Sequence, residues 1–200
     1  MTLAMGVALS AHRKDEYLQA ARIDLARDAV LIELDLTPGI AVAEPIITMI
    51  DRDGDGSFSE EEQSGYTRQV MSALDLRLDD RQLPLRIVSS TFAGLSELRR
   101  GEGTVSLRLR ATHEALSMGG HRLVFRNAHL EDRSVYLANA LVPGDNRVSV
   151  SRQQRDIDQR ELTIDYAVGV GGNAAKAGWL FAGMMLAAVL TVRARRRPQP

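Results

Sequence analysis

At 200 residues with 44% hydrophobic side chains, the chain is long enough for one domain with a sizeable core plus small extras. Aromatic residues make up only 4%, so that core is expected to be built mostly from Leu, Val, Ile and Ala. A balance of 25 basic against 26 acidic side chains gives no electrostatic argument for a nucleic-acid partner, and zero cysteine excludes disulfides, thiolate metal sites and cysteine nucleophiles.

Residues 1–11 are mostly apolar and end in small side chains before the charged stretch that begins at Arg13. That is the pattern of the last part of a secretory signal peptide, and a cut after Ser10 places Ala8 and Ser10 where small residues are wanted. The run is short and no basic residue precedes it, so a signal remnant is expected; the alternative is an ordinary first strand over 3–9. Farther on, Ile23 and Leu25 alternate with polar neighbours, Arg27-Asp28 makes a turn, and Val30, Ile32, Leu34 and Leu36 follow at period two. This is a hairpin signal. Thr37-Pro38-Gly39 then stops the strand.

The next stretch is helical in period. Val42, Ile46, Ile47 and Ile50 give an entering helix an apolar face, with Pro45 expected in its first turn. Residues 51–62 then place carboxylates at Asp51, Asp53 and Asp55, glycine at Gly56, a hydrophobic residue at Phe58 and a terminal Glu62. Six carboxylates and one arginine within twelve residues would repel one another without a counter-ion. Short Asp side chains at alternating positions converge on one point, as a hard cation with six to eight oxygen ligands requires, and Gly56 permits the sharp turn. Tyr66, Val70 and Leu74, with Met71 beside Val70, suit an exiting helix.

At every diagnostic position this stretch resembles the calcium-binding loop of EF-hand proteins. The resemblance implies Ca²⁺ held by Asp51, Asp53, Asp55, the backbone carbonyl of Ser57, Ser59 directly or through a water, and both oxygens of Glu62. Mg²⁺, which prefers stiff octahedral sites, fits less well. The helix-loop-helix is expected over 41–75. The segments around Asp145, Asp156 and Asp158 do not supply a second loop, so Phe58 must pack on its own domain or on another copy.

After the insert, Leu76 and Leu78 lead through Asp79-Asp80 to Leu83, Leu85 and Ile87, read as another hairpin. Residues 92–102 look irregular or briefly helical. Val105, Leu107, Leu109 and Ala111 alternate cleanly with Ser106, Arg108 and Arg110. Leu123 with Phe125, Val135 with Leu137, and Val148 with Val150 are shorter strand candidates, and Leu162, Ile164, Tyr166 and Val168 close the set. Turns are expected at Gly119-Gly120 and over 143–146. About nine short strands predict a mainly β chain with an α insert: an antiparallel β-sandwich over 12–168, with the EF-hand helix-loop-helix between its second and third strands.

Glycine-rich residues 169–176 read as a tether. Residues 177–192 carry no charge, and with Lys176 snorkelling the span lengthens to about 28 Å of helix, enough for a hydrocarbon core. Trp179 sits where an interfacial anchor would, and Arg193, Arg195, Arg196 and Arg197 follow. A buried C-terminal helix would show a polar face, which this one lacks. The expectation is a single-pass transmembrane helix in the cell membrane, a basic cytoplasmic tail over 193–200, and an extracytoplasmic, periplasmic N-terminal domain. The tail also resembles bacterial sorting tails cut by a membrane protease; a simple anchor is the expectation here.

The stretches DEYLQAARIDL, ELDLTPGIAVA, HRLVFRNAHL and SVYLANALVPGDNRVSV resemble uncharacterised bacterial exported proteins, some of which accompany metal transporters. No pair among His12, His113, His121 and His129 has the helical spacing of a metal site, so strand-surface roles are expected. A cut after Ala11 would make His12 an N-terminal copper ligand through its amine and imidazole. No nucleophile elbow, phosphate loop or HExxH motif occurs. Two readings follow. One is a non-catalytic, membrane-tethered calcium-binding module; the other is an accessory domain for nickel, cobalt or copper transport.

Overall fold

The structure, a computed structural model, describes residues 16–170. The expectations for 1–11, for His12, for the transmembrane span 177–192, for the tail 193–200 and for most of the 169–176 tether lie outside them. No helix among the described residues is long and apolar enough to cross a membrane.

Among the described residues, ten strands and three helices follow in chain order. They are β1 (Tyr17–Leu25), β2 (Ala29–Pro38), α1 (Ile40–Ile50), α2 (Glu60–Ser72), β3 (Leu74–Leu78), β4 (Arg81–Gln82), β5 (Arg86–Phe92), α3 (Leu95–Arg99), β6 (Val105–Thr112), β7 (Gly119–Asn127), β8 (Ser134–Ala140), β9 (Val148–Arg155) and β10 (Glu161–Val168). The chain is mainly β and forms two five-stranded sheets, ordered β5-β6-β2-β1-β8 and β4-β3-β7-β10-β9. Period-two alternation explains why they meet. Ile23, Ile32, Leu34, Leu36, Leu107 and Leu109 of one sheet share a single buried core with Leu76, Leu123, Phe125, Leu162, Ile164 and Tyr166 of the other. Each such side chain contributes on the order of 1.5–3 kcal/mol of burial.

The hairpin of β1 and β2 forms as expected, with Ile23 opposite Ile32, and β6 adds to β2 with Leu107 opposite Leu34. The helical segment leaves between β2 and β3 and sits at the end of the sandwich. Ala43, Ile46, Ile47 and Ile50 of α1 and Tyr66 and Val70 of α2 are buried in the common core.

Several expectations are corrected. Pro45 lies inside α1, beyond its first turn, because the helix starts at Ile40. The backbone bond it forgoes is the one to the carbonyl of Ala41, and both residues are exposed, so water can take that carbonyl. Leu74 opens β3 instead of closing α2, since the ladder with Asn127 of β7 claims it. Asp79 and Asp80 do make a tight turn, both at positive φ (47° and 65°), as a two-residue hairpin loop requires. Yet that hairpin is only the short β3–β4 pair; Ile87 crosses to the other sheet and pairs with Leu109 of β6. Gly119-Gly120 is not a turn but the start of β7, opposite Val168 and Ala167.

The β8 reading is inverted. Val135 and Leu137 are exposed, and Tyr136 and Ala138 face the core. Strand β8 pairs parallel to β1, so the sandwich is not wholly antiparallel. The reason is the connection. After β7 the chain crosses to the opposite sheet through residues 128–133 and enters β8 beside β1, and the inward face is set there by Tyr136, whose hydroxyl donates to the carbonyl of His129 at 2.8 Å.

The two sheets are stitched along one side. Arg155 of β9 donates through Nε to the Ala138 carbonyl (2.9 Å), and the Gln153 side chain accepts from the Ala140 N–H (3.0 Å) and donates to the Ala140 carbonyl (3.4 Å). Side chains of one edge strand thus satisfy the open backbone of the other, which protects an edge from foreign pairing.

Candidate metal centre

Between α1 and α2 the backbone turns sharply. Gly54 and Gly56 take φ of +73° and +84°, a region that a side chain would make costly. The turn is held by the acidic side chains themselves. Asp51, buried at the end of α1, accepts the Gly54 N–H on Oδ1 (2.9 Å) and the Gly56 N–H on Oδ2 (3.1 Å). Asp53 accepts the Asp55 N–H (3.1 Å), and Asp55 accepts both the N–H and the hydroxyl of Ser57 (2.8 Å each). The three carboxylates are thereby brought together: one oxygen from each lies within 4.8 Å of the others. A carboxylate has about four lone-pair sites, so these bonds leave acceptor capacity turned to a common point.

Glu62 and Ser59 serve the same loop from the start of α2. Glu62 accepts the Arg52 N–H at 2.6 Å on Oε1 and the Ser59 N–H and hydroxyl (3.0 and 2.8 Å) on Oε2, while its own N–H donates to Ser59 Oγ (3.3 Å). This reciprocal capping box starts α2 and ties both ends of the loop together. The Ser59 hydroxyl, then the Ser59 and Arg52 N–H groups, hold the Glu62 carboxyl below its ordinary range, so it is ionised at neutral pH. Of the sequence-derived ligand set, Asp51, Asp53 and Asp55 are drawn together; Ser57 serves Asp55, and Ser59 and Glu62 engage each other. The arginine of the loop does not neutralise it: the Arg52 guanidinium lies against Gly65 on α2, with Nη2 3.7 Å from where a Cβ would stand.

The loop is anchored on its own domain. Phe58 packs edge-on against Phe92 at the end of β5, with ring centroids 6.3 Å apart, and Tyr66 meets the same ring at 6.3 Å. Behind them lies a buried polar network that the sequence pattern did not reveal. The Tyr66 hydroxyl bonds Tyr17 (2.6 Å) and His129 Nε2 (3.2 Å). Gln19 donates to the His129 carbonyl and to Ser134, and Asn127 bridges Gln19 and the His129 N–H. His129 is therefore not a strand-surface residue: it is only 3% exposed, and burial pushes its pKa down to about 4. Burial likewise raises Tyr66 to about 12. All members stay neutral at pH 7, and the network joins α2 to β1 and to the crossing before β8.

His121 is held differently, by Asp79 (2.7 Å) and the Ser117 carbonyl (3.0 Å), one acceptor at each ring nitrogen. Burial opposes its charge, but these bonds outweigh it and raise its pKa. Both nitrogens are occupied, so the pair serves as a surface ion pair and leaves no nitrogen for a metal. No protein-family profile and no curated protein matches the chain.

Proposed function

We propose that the chain is a non-catalytic calcium-binding module of EF-hand type, tethered to the cell membrane by residues 177–192 with the β domain on the extracytoplasmic side. The observation that carries the calcium reading is the convergence of Asp51, Asp53 and Asp55 within 4.8 Å on a glycine-turned loop between two helices. Bringing three carboxylates together without a cation costs Coulomb energy, and oxygen-only donors suit a hard ion such as Ca²⁺ better than nickel, cobalt or copper. Glu62, ionised at neutral pH and bonded to the Arg52 N–H at the start of the loop, would close the coordination. Extracytoplasmic sites of this kind need an affinity only on the order of 10⁻⁴ to 10⁻³ M.

Calorimetric titration with Ca²⁺, Ni²⁺ and Cu²⁺ tests the reading. Ca²⁺ is expected to bind once per chain, and Glu62→Gln is expected to weaken it roughly tenfold or more, about 1.4 kcal/mol. Unchanged calcium affinity in that variant sinks the assignment, and tighter binding of Ni²⁺ or Cu²⁺ than of Ca²⁺ would support the transport-accessory reading instead.

The tether reading rests on the uncharged run 177–192 followed by four arginines. Protease added to cells with a permeabilised outer layer is expected to digest the β domain. Full protection would put that domain in the cytoplasm.

A further inference from the structure

The four sheet edges are not equally protected. Strands β8 and β9 are stitched to each other by Arg155 and Gln153, and β4 is only two residues long. Strand β5 is seven residues long and ends its sheet, and six of its residues are exposed. Among the described residues, no hydrogen bond reaches the backbone of 86–91 except from β6. Because the opposite sheet stops at the short β4, even the inward-facing Ile87 is 40% exposed, and Val88, at the bulge in the β5–β6 ladder, is 62% exposed. A long edge with open N–H and C=O groups and apolar side chains is a template for an added strand.

The charge around this edge selects what would be added. Residues 81–92 and 105–112 contain Arg81, Arg86, Arg108 and Arg110 and no carboxylate, in a chain whose charges nearly balance as a whole. Arg86 and Arg110 stand directly opposite each other across β5 and β6 on the outer face, and neither has an ion-pair partner among the described residues. A like-charge pair in that position is unfavourable unless an anion lies over it. A second copy pairing through its own β5 would bring no carboxylate on the added strand, since residues 86–92 contain none. The far end of β5 points the other way: Phe92 lies under Phe58 of the acidic loop, where carboxylates on a guest would be repelled.

We propose that the free edge of β5 is a docking site for an extended, acidic peptide segment of a partner protein. The segment adds to the sheet as a sixth strand, with its carboxylates over Arg86 and Arg110 and its uncharged end toward Phe92. Main-chain hydrogen bonds give such docking its affinity, and the side chains beside the edge give it its selectivity. This inference stands apart from the calcium reading, since it uses no residue of the 51–62 loop other than Phe58 as a landmark.

The test uses the full chain and two fluorescent peptides of the same length as β5, one with two glutamates at alternate positions in one half and only valine and threonine in the other, the second with lysine in place of each glutamate. Fluorescence anisotropy is expected to show saturable binding of the glutamate peptide and binding of its lysine twin about two- to thirtyfold weaker, the range that two exposed ion pairs give. Hydrogen exchange should slow at residues 86–92 on peptide binding. The double variant Arg86→Glu/Arg110→Glu changes only exposed side chains, and it is expected to reverse the preference toward the lysine peptide. No saturable binding, equal affinity for the two peptides, or exchange protection located elsewhere would overturn the proposal. So would sedimentation of the wild-type chain as a dimer that Ile87→Lys converts to monomer, because the edge would then be taken by a second copy.

Discussion

Lowering the pH from 7 is expected to cost the domain about 2 kcal/mol of stability by pH 5 and about 3 kcal/mol by pH 4 through His129 alone. The histidine is buried against Tyr17 and Tyr66, and its pKa falls from 6.5 to about 4 on folding. In the unfolded chain it takes up a proton near pH 6.5; in the folded chain it does not until about pH 4. Between those values the unfolded state binds more protons, so stability is complete above the unfolded pKa and is lost as pH falls toward the folded one. Carboxylates held low by partners act in a lower window: Asp145, bonded to Arg147, titrates at about 2. His121 acts in the opposite sense at higher pH, because its raised pKa gives stability that is full below 6.5 and lost as pH rises. Urea unfolding at pH 7, 5 and 4 measures the slope, and a His129→Gln variant isolates it. The variant should start less stable at pH 7 and lose little more between pH 7 and 5. Parallel pH profiles for the two proteins would mean that another group sets the acid sensitivity.

Calcium at a hundredfold excess over its Kd is expected to raise stability by about 2.7 kcal/mol, because an ion that binds only the folded form stabilises it by mass action. The structure says where that stabilisation should act. The helices flanking the loop are short, and helices of this length are marginal unless packed. Residues 40–73 should therefore gain most of the hydrogen-exchange protection. Two contacts carry a smaller share outward. Tyr66 stands one turn after Glu62 on α2 and bonds Tyr17 and His129, while Phe58 rests on Phe92 at the end of β5. Amides near Tyr17, Phe92 and His129 should slow somewhat, and those of β9 and β10 that exchange through local opening should not change. Equal slowing in every strand would show that the ion holds the whole domain together, and the helical segment would then not be a separable unit.

Whatever depends on near neighbours in the chain was legible in the sequence. The alternation in β1, β2, β6 and β10 identifies the buried face without reference to any partner, because a strand's side-chain period is two. The position of the helical segment between the second and third strands, and the grouping of Asp51, Asp53 and Asp55, follow from turn residues and spacing within a dozen positions. The loop holds itself by bonds between residues no more than ten apart, and only Phe58 needed a partner that the sequence could not name.

The rest was decided by pairings over long separations. In β8 both faces carry apolar side chains, and only the parallel ladder with β1 and the Tyr136 bond to His129 determine that Val135 and Leu137 face outward. Ile87 reads as a continuation of the turn at Asp79-Asp80, but its place beside Leu109 is settled by a crossover that no local signal records. Pro45 is tolerated because the exposed side of α1 faces water, and exposure is a property of the packed molecule. His129, isolated in sequence, acquires its depressed pKa from burial, its ring covered by Tyr17 and Tyr66 brought around it from β1 and α2. Local pattern can identify a strand or a loop, whereas burial and charge state exist only once distant segments have excluded water from one another.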